Sequence, residues 1–188
     1  DRSRRSVREK KMSTLAKVNL TDYIRPIPDF PKPGILFRDI TPLLASPPAF
    51  AEAIKGLAEP FRQAGVDLVA AAEARGFIFA APLALELNAG LVPIRKPGKL
   101  PCKTLSYTYQ LEYGCDTLQV HADAIHPGSR VLMVDDLLAT GGTIDACCRM
   151  IELAGGQVVG CAFLIELAGL GGRRRIAQYK TISLVRYD

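Results

Sequence analysis

The chain of 188 residues has no Cys-x-x-Cys pair, no Cys/His cluster of zinc spacing and no apolar run approaching 18 residues. These absences argue against a zinc-stapled module and a helical membrane anchor. The five cysteines (Cys102, Cys115, Cys147, Cys148 and Cys161) are odd in number, which suits a reducing, cytoplasmic setting better than a disulfide framework. No apolar segment follows the basic first residues, so no secretory signal is expected, and no internal repeat or low-complexity tract interrupts the chain. What remains is ordinary globular composition, with 48% hydrophobic and 23% charged residues, 16 glycines and 13 prolines. The chain is long enough to bury a full core, so disorder is excluded as its dominant state.

The formal net charge of +5 is not spread evenly. Arg2, Arg4, Arg5, Arg8, Lys10, Lys11 and Lys17 face only Asp1 and Glu9 at the start, leaving 17 bases and 17 acids in the rest of the chain. A neutral body carrying a basic, apolar-poor tail reads as a domain with a solvated arm, not as a nucleic-acid-binding face. Residues 1–19 are expected to be a disordered arm and 20–188 a single domain. The arm is open to three readings: a native extension, a vector-derived leader with Met12 as the natural start, or a remnant of an organelle-targeting peptide.

Along the body, a short helix is expected at Leu20 to Arg25. Pro26, Pro28, Pro31 and Pro33 with Gly34 then forbid helix for about ten residues. Ser46 is a candidate N-cap for a helix that opens with Pro47 and Pro48, runs through Phe50, Ile54, Leu57 and Phe61, and stops at Gly65. Strands are expected at Val66 to Ala72, Leu91 to Ile94, Val131 to Val134, Gln157 to Leu167 and Lys180 to Tyr187. Helices are expected at Phe77 to Asn88 and Thr143 to Leu153, the latter ended by Gly155 and Gly156. Thr104 to Val120 alternates in part about Tyr113-Gly114 and reads as an extended hairpin or mobile flap. Alternating strands and helices imply an α/β fold with a doubly wound, mainly parallel sheet and a ligand crevice at the carboxyl ends of its strands.

Val131 to Thr143 is the most informative segment: four apolar residues deliver Asp135 and Asp136 to a strand end, and a small-residue turn then opens a helix. Ala139, Gly141 and Gly142 let backbone N–H groups approach a phosphate, Thr140 and Thr143 add hydroxyl donors, and the helix N-terminus contributes its dipole. Two aspartates would repel a bare phosphate. They suit a ligand that also presents hydroxyls or cationic character, as a sugar phosphate forming an oxocarbenium ion does. The spacing is neither a Walker A loop nor a dinucleotide Gly-x-Gly-x-x-Gly turn.

The segment resembles the phosphoribosyl pyrophosphate signature of the type I phosphoribosyltransferases. Three further segments narrow the likeness to the adenine-using branch of that family: Ile27 to Ile40, Glu73 to Phe77, and Arg95 to Pro101 with Leu111 to Gly114 downstream. The resemblance covers residue 20 to the end. It implies the type I phosphoribosyltransferase fold, with a small N-terminal hood at about 20–45 and a flexible flap at about 97–121. The implied reaction joins adenine to phosphoribosyl pyrophosphate, giving AMP and pyrophosphate with magnesium's help, in a cytoplasmic homodimer that has no nucleic-acid or membrane partner.

The resemblance also assigns roles. Asp135 and Asp136 would hold the ribose hydroxyls, and Ala139, Thr140, Gly141, Gly142 and Thr143 the 5-phosphate. Arg75 would reach the pyrophosphate, with Arg95, Lys96 and Lys99 adding charge to it or to that of a partner subunit. Phe37 would stack on adenine while backbone groups of Leu36 and Arg38 read its edge. Glu112, beside Tyr113 in the flap, would exchange a proton with a purine nitrogen. Magnesium would be held by substrate oxygens and water, needing no protein ligand. His121 and His126 read as ordinary loop or strand residues, and Cys147-Cys148 as small hydrophobes behind the phosphate turn.

Overall fold

The computed structural model describes residues 18–110 and 114–188. The basic arm up to residue 17, Glu112 and Tyr113 lie outside the described residues. The chain folds as two units, Asp1–Glu52 and Ala53–Asp188.

In the first unit, a 3-10 turn at Leu20–Tyr23 replaces the expected helix, with the Asn19 side chain accepting from the Thr21 N–H. The proline-rich stretch is also more regular than expected. β1 (Arg25–Ile27) pairs antiparallel with β2 (Phe37–Asp39), Pro26 opposite Arg38. The prolines do exclude helix, but in a two-stranded ribbon both strands are edges, where a missing N–H is tolerated. Asp39 accepts from Arg25 at 2.8 Å and from the Thr41 N–H at 2.9 Å. The Thr41 N–H foremost holds its carboxyl below the usual range. Thr41 opens α1 (Thr41–Ala45), which the sequence pattern did not suggest. The expected proline-opened helix is α2 (Pro47–Ala58), with Ser46 Oγ accepting from the Ala49 N–H at 3.5 Å.

The second unit is built on five parallel strands in the order β4-β3-β7-β8-β9: β3 (Leu68–Ala72), β4 (Gly90–Ile94), β7 (Arg130–Leu138), β8 (Gln157–Leu167) and β9 (Thr181–Tyr187). Helix α3 (Gly76–Glu86) joins β3 to β4, and α4 (Gly142–Leu153) joins β7 to β8. Strand alternation gives each helix its own layer. Ala70, Ala72, Val92, Ile94, Met133 and Phe163 pack in one cluster with Ile144, Cys147, Cys148 and Ile151 of α4. The intervening Val69, Ala71, Leu132, Val134, Ala162 and Leu164 are buried as well, as a parallel sheet covered on both faces requires. Phe79, Ala80, Leu83 and Ala84 form the buried side of α3, which packs on β3 and β7.

The chain winds outward in opposite directions from β3 and from β7. Right-handed crossovers therefore place α3 and α4 on opposite faces, and a crevice opens where the carboxyl ends of β3 and β7 part. One boundary differs from the pattern: β7 runs on to Leu138, so Asp135 and Asp136 belong to the strand. β8 continues beside it, pairing Asp135 with Phe163 and Leu138 with Glu166, whereas β3 pairs with β7 only as far as Val134. Apolar composition ends at Val134, but hydrogen bonding does not.

The expected hairpin is present as β5 (Thr104–Gln110) and β6 (Cys115–His121). It is less detached than a flap suggests, because Tyr109, Leu118 and Val120 are buried in the α4-side cluster. A short helix, α5 (Gly172–Arg175), follows β8 and was not expected. Beside it, Glu166 is 3% exposed; it accepts from Arg173 Nε at 2.9 Å and Ser183 Oγ at 2.8 Å. These bonds, Arg173's first, hold its carboxyl below the ordinary value near 4.5. A lowered folded-state pKa contributes stability above the unfolded value that is lost as pH falls through the folded one. Glu166→Gln should therefore cost about 1–3 kcal/mol at pH 7. In urea titrations, the gap from wild type should shrink by pH 3.

Candidate active site

A cavity of about 300 Å³ lies at the carboxyl ends of β3 and β7, the position that the winding of the sheet dictates. Its walls are Ala72 to Arg75 at the end of β3, Asp135 to Leu137 on β7, and Ala139 to Ile144 leading into α4. The sequence segment with the densest chemistry and the topological crevice thus coincide.

Asp136 is 5% exposed and Asp135 half-buried. Burial pushes both carboxyls above their ordinary value, most strongly at Asp135, where the neighbouring Asp136 charge adds to the effect. Arg75 opposes this, its Nε lying 2.8 Å from Asp136 Oδ2. The Asp136 N–H also donates to Asp135 Oδ1 at 2.9 Å, which orients that carboxylate. Gly76, the first residue of α3, permits the approach: a Cβ there would stand 2.9 Å from Asp135 Oδ1.

The turn from β7 into α4 depends on two more glycines. Gly141 adopts φ +79°, and a Cβ there would come within 2.8 Å of the Gly172 carbonyl oxygen. A Cβ on Gly172 would in turn collide with the Ala139 carbonyl oxygen and reach 2.9 Å from Leu138 Cδ1. Helix α5 is therefore the floor against which the turn is pressed. Above that floor, Gly141 caps, and Gly142 and Thr143 begin, a 12-residue helix whose first N–H groups have no partner within it. Free N–H groups, two threonine hydroxyls and the helix dipole make an anion cradle beside two carboxylates.

The remaining expected residues are distributed differently. Arg95 Nε lies 3.3 Å from Glu73 Oε1, and the Lys96 N–H donates to the same oxygen at 2.5 Å. The Lys96 ammonium pairs with Asp116, and Lys99 closes a turn on the Lys96 carbonyl. None of these three bases lines the cavity wall, unlike Arg75. In the first unit, Phe37 and Arg38 open β2, Leu36 precedes them exposed, and the Phe37 ring meets Phe30 edge-on at 5.2 Å.

Sequence reading gave no separate role to Glu73, Leu137, Tyr109, Asp116 or Gly172. Glu73 and Leu137 stood inside quoted motifs, so their place beside the site had a signal. Tyr109, Asp116 and Gly172 had none, because only the packing of the hairpin and α5 brings them there.

Residues 41–185 match the family model described as the phosphoribosyl transferase domain, a class that fits a strand-end carboxylate pair leading into a phosphate cradle on a parallel sheet. The chain is 58% identical over 170 residues to an adenine phosphoribosyltransferase of Rhodopirellula baltica, covering 90% of this chain and 82% of that protein. The crystal structure of the adenine phosphoribosyltransferase of Thermoanaerobacter pseudethanolicus superposes with a TM-score of 0.86 at 54% identity, covering 89% of this chain and 98% of that one. That of Saccharomyces cerevisiae, complexed with an imino-altritol bisphosphate and adenine, gives 0.82 at 37% identity, covering 88% and 96%. The chain belongs to the adenine phosphoribosyltransferase family.

Because α5 presses on the turn, Gly172→Ala should displace the Ala139 carbonyl and with it the cradle. Affinity for ribose 5-phosphate, measured by calorimetry, should fall at least about tenfold, the loss of one charge-assisted hydrogen bond. Circular dichroism should show the sheet retained.

Proposed function

We infer that this chain transfers the phosphoribosyl group of 5-phosphoribosyl 1-pyrophosphate to adenine, releasing pyrophosphate and forming AMP, a step of purine salvage. The observation that carries this reading is the cavity in which Asp135 and Asp136 run directly into the phosphate cradle Ala139 to Thr143. The adenine in the yeast relative's complex supports the choice of base.

The chemistry follows from charge. As pyrophosphate departs from the anomeric carbon, positive charge develops on the ribose ring, and anionic Asp135 and Asp136 stabilise that state while accepting hydrogen bonds from the ring hydroxyls. The cradle holds the 5-phosphate, and Arg75 turns its guanidinium to the leaving pyrophosphate. Lys96 and Lys99 are assigned to the same leaving group in this or a neighbouring subunit, with Arg95 fixing their loop through Glu73. Leu137 lends the cavity an apolar face. The adenine roles of Leu36, Phe37 and Arg38 and the proton exchange at Glu112, beside Tyr113, are carried by their motifs.

The donor set suits magnesium. Asp135 and Asp136 offer hard oxygens beside the cavity, where they would orient the ribose hydroxyls and the ion's bound water. The ion fits best on substrate oxygens and water. When bound there, it neutralises charge on the diphosphate.

Residues 20–45 are assigned as a hood and 97–121 as a flap. The five cysteines are all free, which supports a reducing, cytoplasmic setting. Among the described residues no helix is long and apolar enough to cross a membrane. A homodimer is supported by α3, whose outward Ile78, Ala81 and Leu85 are exposed although its other side is buried. Leu91 on the edge strand β4 is exposed as well, and exposed apolar residues of this kind invite a covering partner.

Pyrophosphate release should be rapid with adenine and magnesium, and absent with hypoxanthine, guanine or uracil. Asp136→Asn should lower kcat/KM roughly 10²–10³-fold, as loss of a preorganised charge does. Turnover with another base, or full activity of Asp136→Asn, would refute the assignment. Leu85, 84% exposed, gives the dimer test: Leu85→Glu should halve the mass measured by light scattering.

A further inference from the structure

We propose that the Tyr109 hydroxyl is a positioning relay that joins the β5–β6 hairpin to the phosphate cradle and tightens that join when a 5-phosphate is bound. The proposal rests on the phosphoribosyl reading above. Tyr109 is 8% exposed, its ring packed in the α4-side cluster. Its hydroxyl lies 3.2 Å from Thr143 Oγ1 in the cradle and 3.3 Å from Asp116 Oδ2 on the facing strand. Asp116 also accepts from the Lys96 ammonium and, at 2.8 Å, from the Thr117 N–H.

A phenol carries one proton, and a carboxylate can only accept. Two arrangements are therefore open to this triad. In one, Tyr109 donates to Asp116 and Thr143 donates to Tyr109. In the other, Thr143 donates to a phosphate oxygen, so that Tyr109 must turn its proton to Thr143 and release Asp116. A phosphate selects the second arrangement because its charge strengthens the whole chain from Tyr109 through Thr143 to the anion. Asp116 can give up the bond at little cost, since Lys96 and Thr117 still satisfy it. No covalent bond changes; two hydroxyl protons reorient. The Tyr109–Thr143 bond is present in both arrangements; the phosphate reverses and polarises it, so that β5 is held more firmly to the loop carrying the 5-phosphate.

Hydrogen exchange of the β5 and β6 amides, with ribose 5-phosphate as probe, tests this. In wild type, the probe should slow exchange three- to tenfold, about the strengthening that a charged acceptor lends a hydrogen bond. Tyr109→Phe keeps the buried ring and should melt within about 4 °C of wild type, so that the fold is retained. It should nonetheless lose the probe-induced slowing and bind ribose 5-phosphate three- to tenfold more weakly. Asp116→Asn removes the competing carboxylate and should move the other way, leaving ribose 5-phosphate binding as tight or tighter. Equal slowing in Tyr109→Phe and wild type, or weaker binding in Asp116→Asn, would overturn the relay. A wild-type protein that binds no ribose 5-phosphate would overturn the phosphoribosyl reading itself.

Discussion

Two adjacent carboxylates at the end of a buried parallel strand are costly to ionise, because each loses water and each repels the other. Much of the second unit is arranged around that cost. Arg75 supplies the compensating charge to Asp136, the Asp136 N–H holds Asp135 in place, and Gly76 keeps a side chain out of the way. Positive charge placed beside such a pair would relieve what the protein alone satisfies only in part.

The cradle is held by different forces. Its shape is fixed by the contact between Gly172 and the Ala139 and Gly141 backbone, where any Cβ would intrude. Helix α5 is in turn held by Arg173, whose guanidinium reaches Glu166, Ser183 and the Thr181 carbonyl. A polar network at the ends of β8 and β9 therefore supports the loop that follows β7. On the other side, Tyr109 and Thr143 join the hairpin to the same loop. The cradle is braced by elements far apart in sequence.

The core and the reacting groups were legible to different degrees. Strands β3 to β9 and helices α2 to α4 stood out because each buries apolar residues at its own period, and Gly155-Gly156 mark the end of α4, whereas α2 gives way at Ala58 to a 3-10 turn (Glu59–Phe61) short of Gly65. Asp135, Asp136 and the cradle were legible because strand end, acids and small-residue turn are contiguous. Arg75 was legible from its place after β3. The salt-bridge partners of Arg95 and Lys96 were not: Glu73 is more than twenty residues from Arg95, and Asp116 twenty from Lys96, so nothing local links them.

By itself, the sequence determined the α/β class, the alternation of strands and helices, and the small-residue turn with its two acids, since all of these follow from local period and from neighbours along the chain. Tertiary structure alone decided how far β7 runs, because its last pairs are made by β8 and not by its own apolarity. It alone decided that Gly172 floors the cradle and that Tyr109 meets Thr143. Those contacts depend on where separate elements come to rest, and no short-range pattern encodes a distance between residues that only packing brings together.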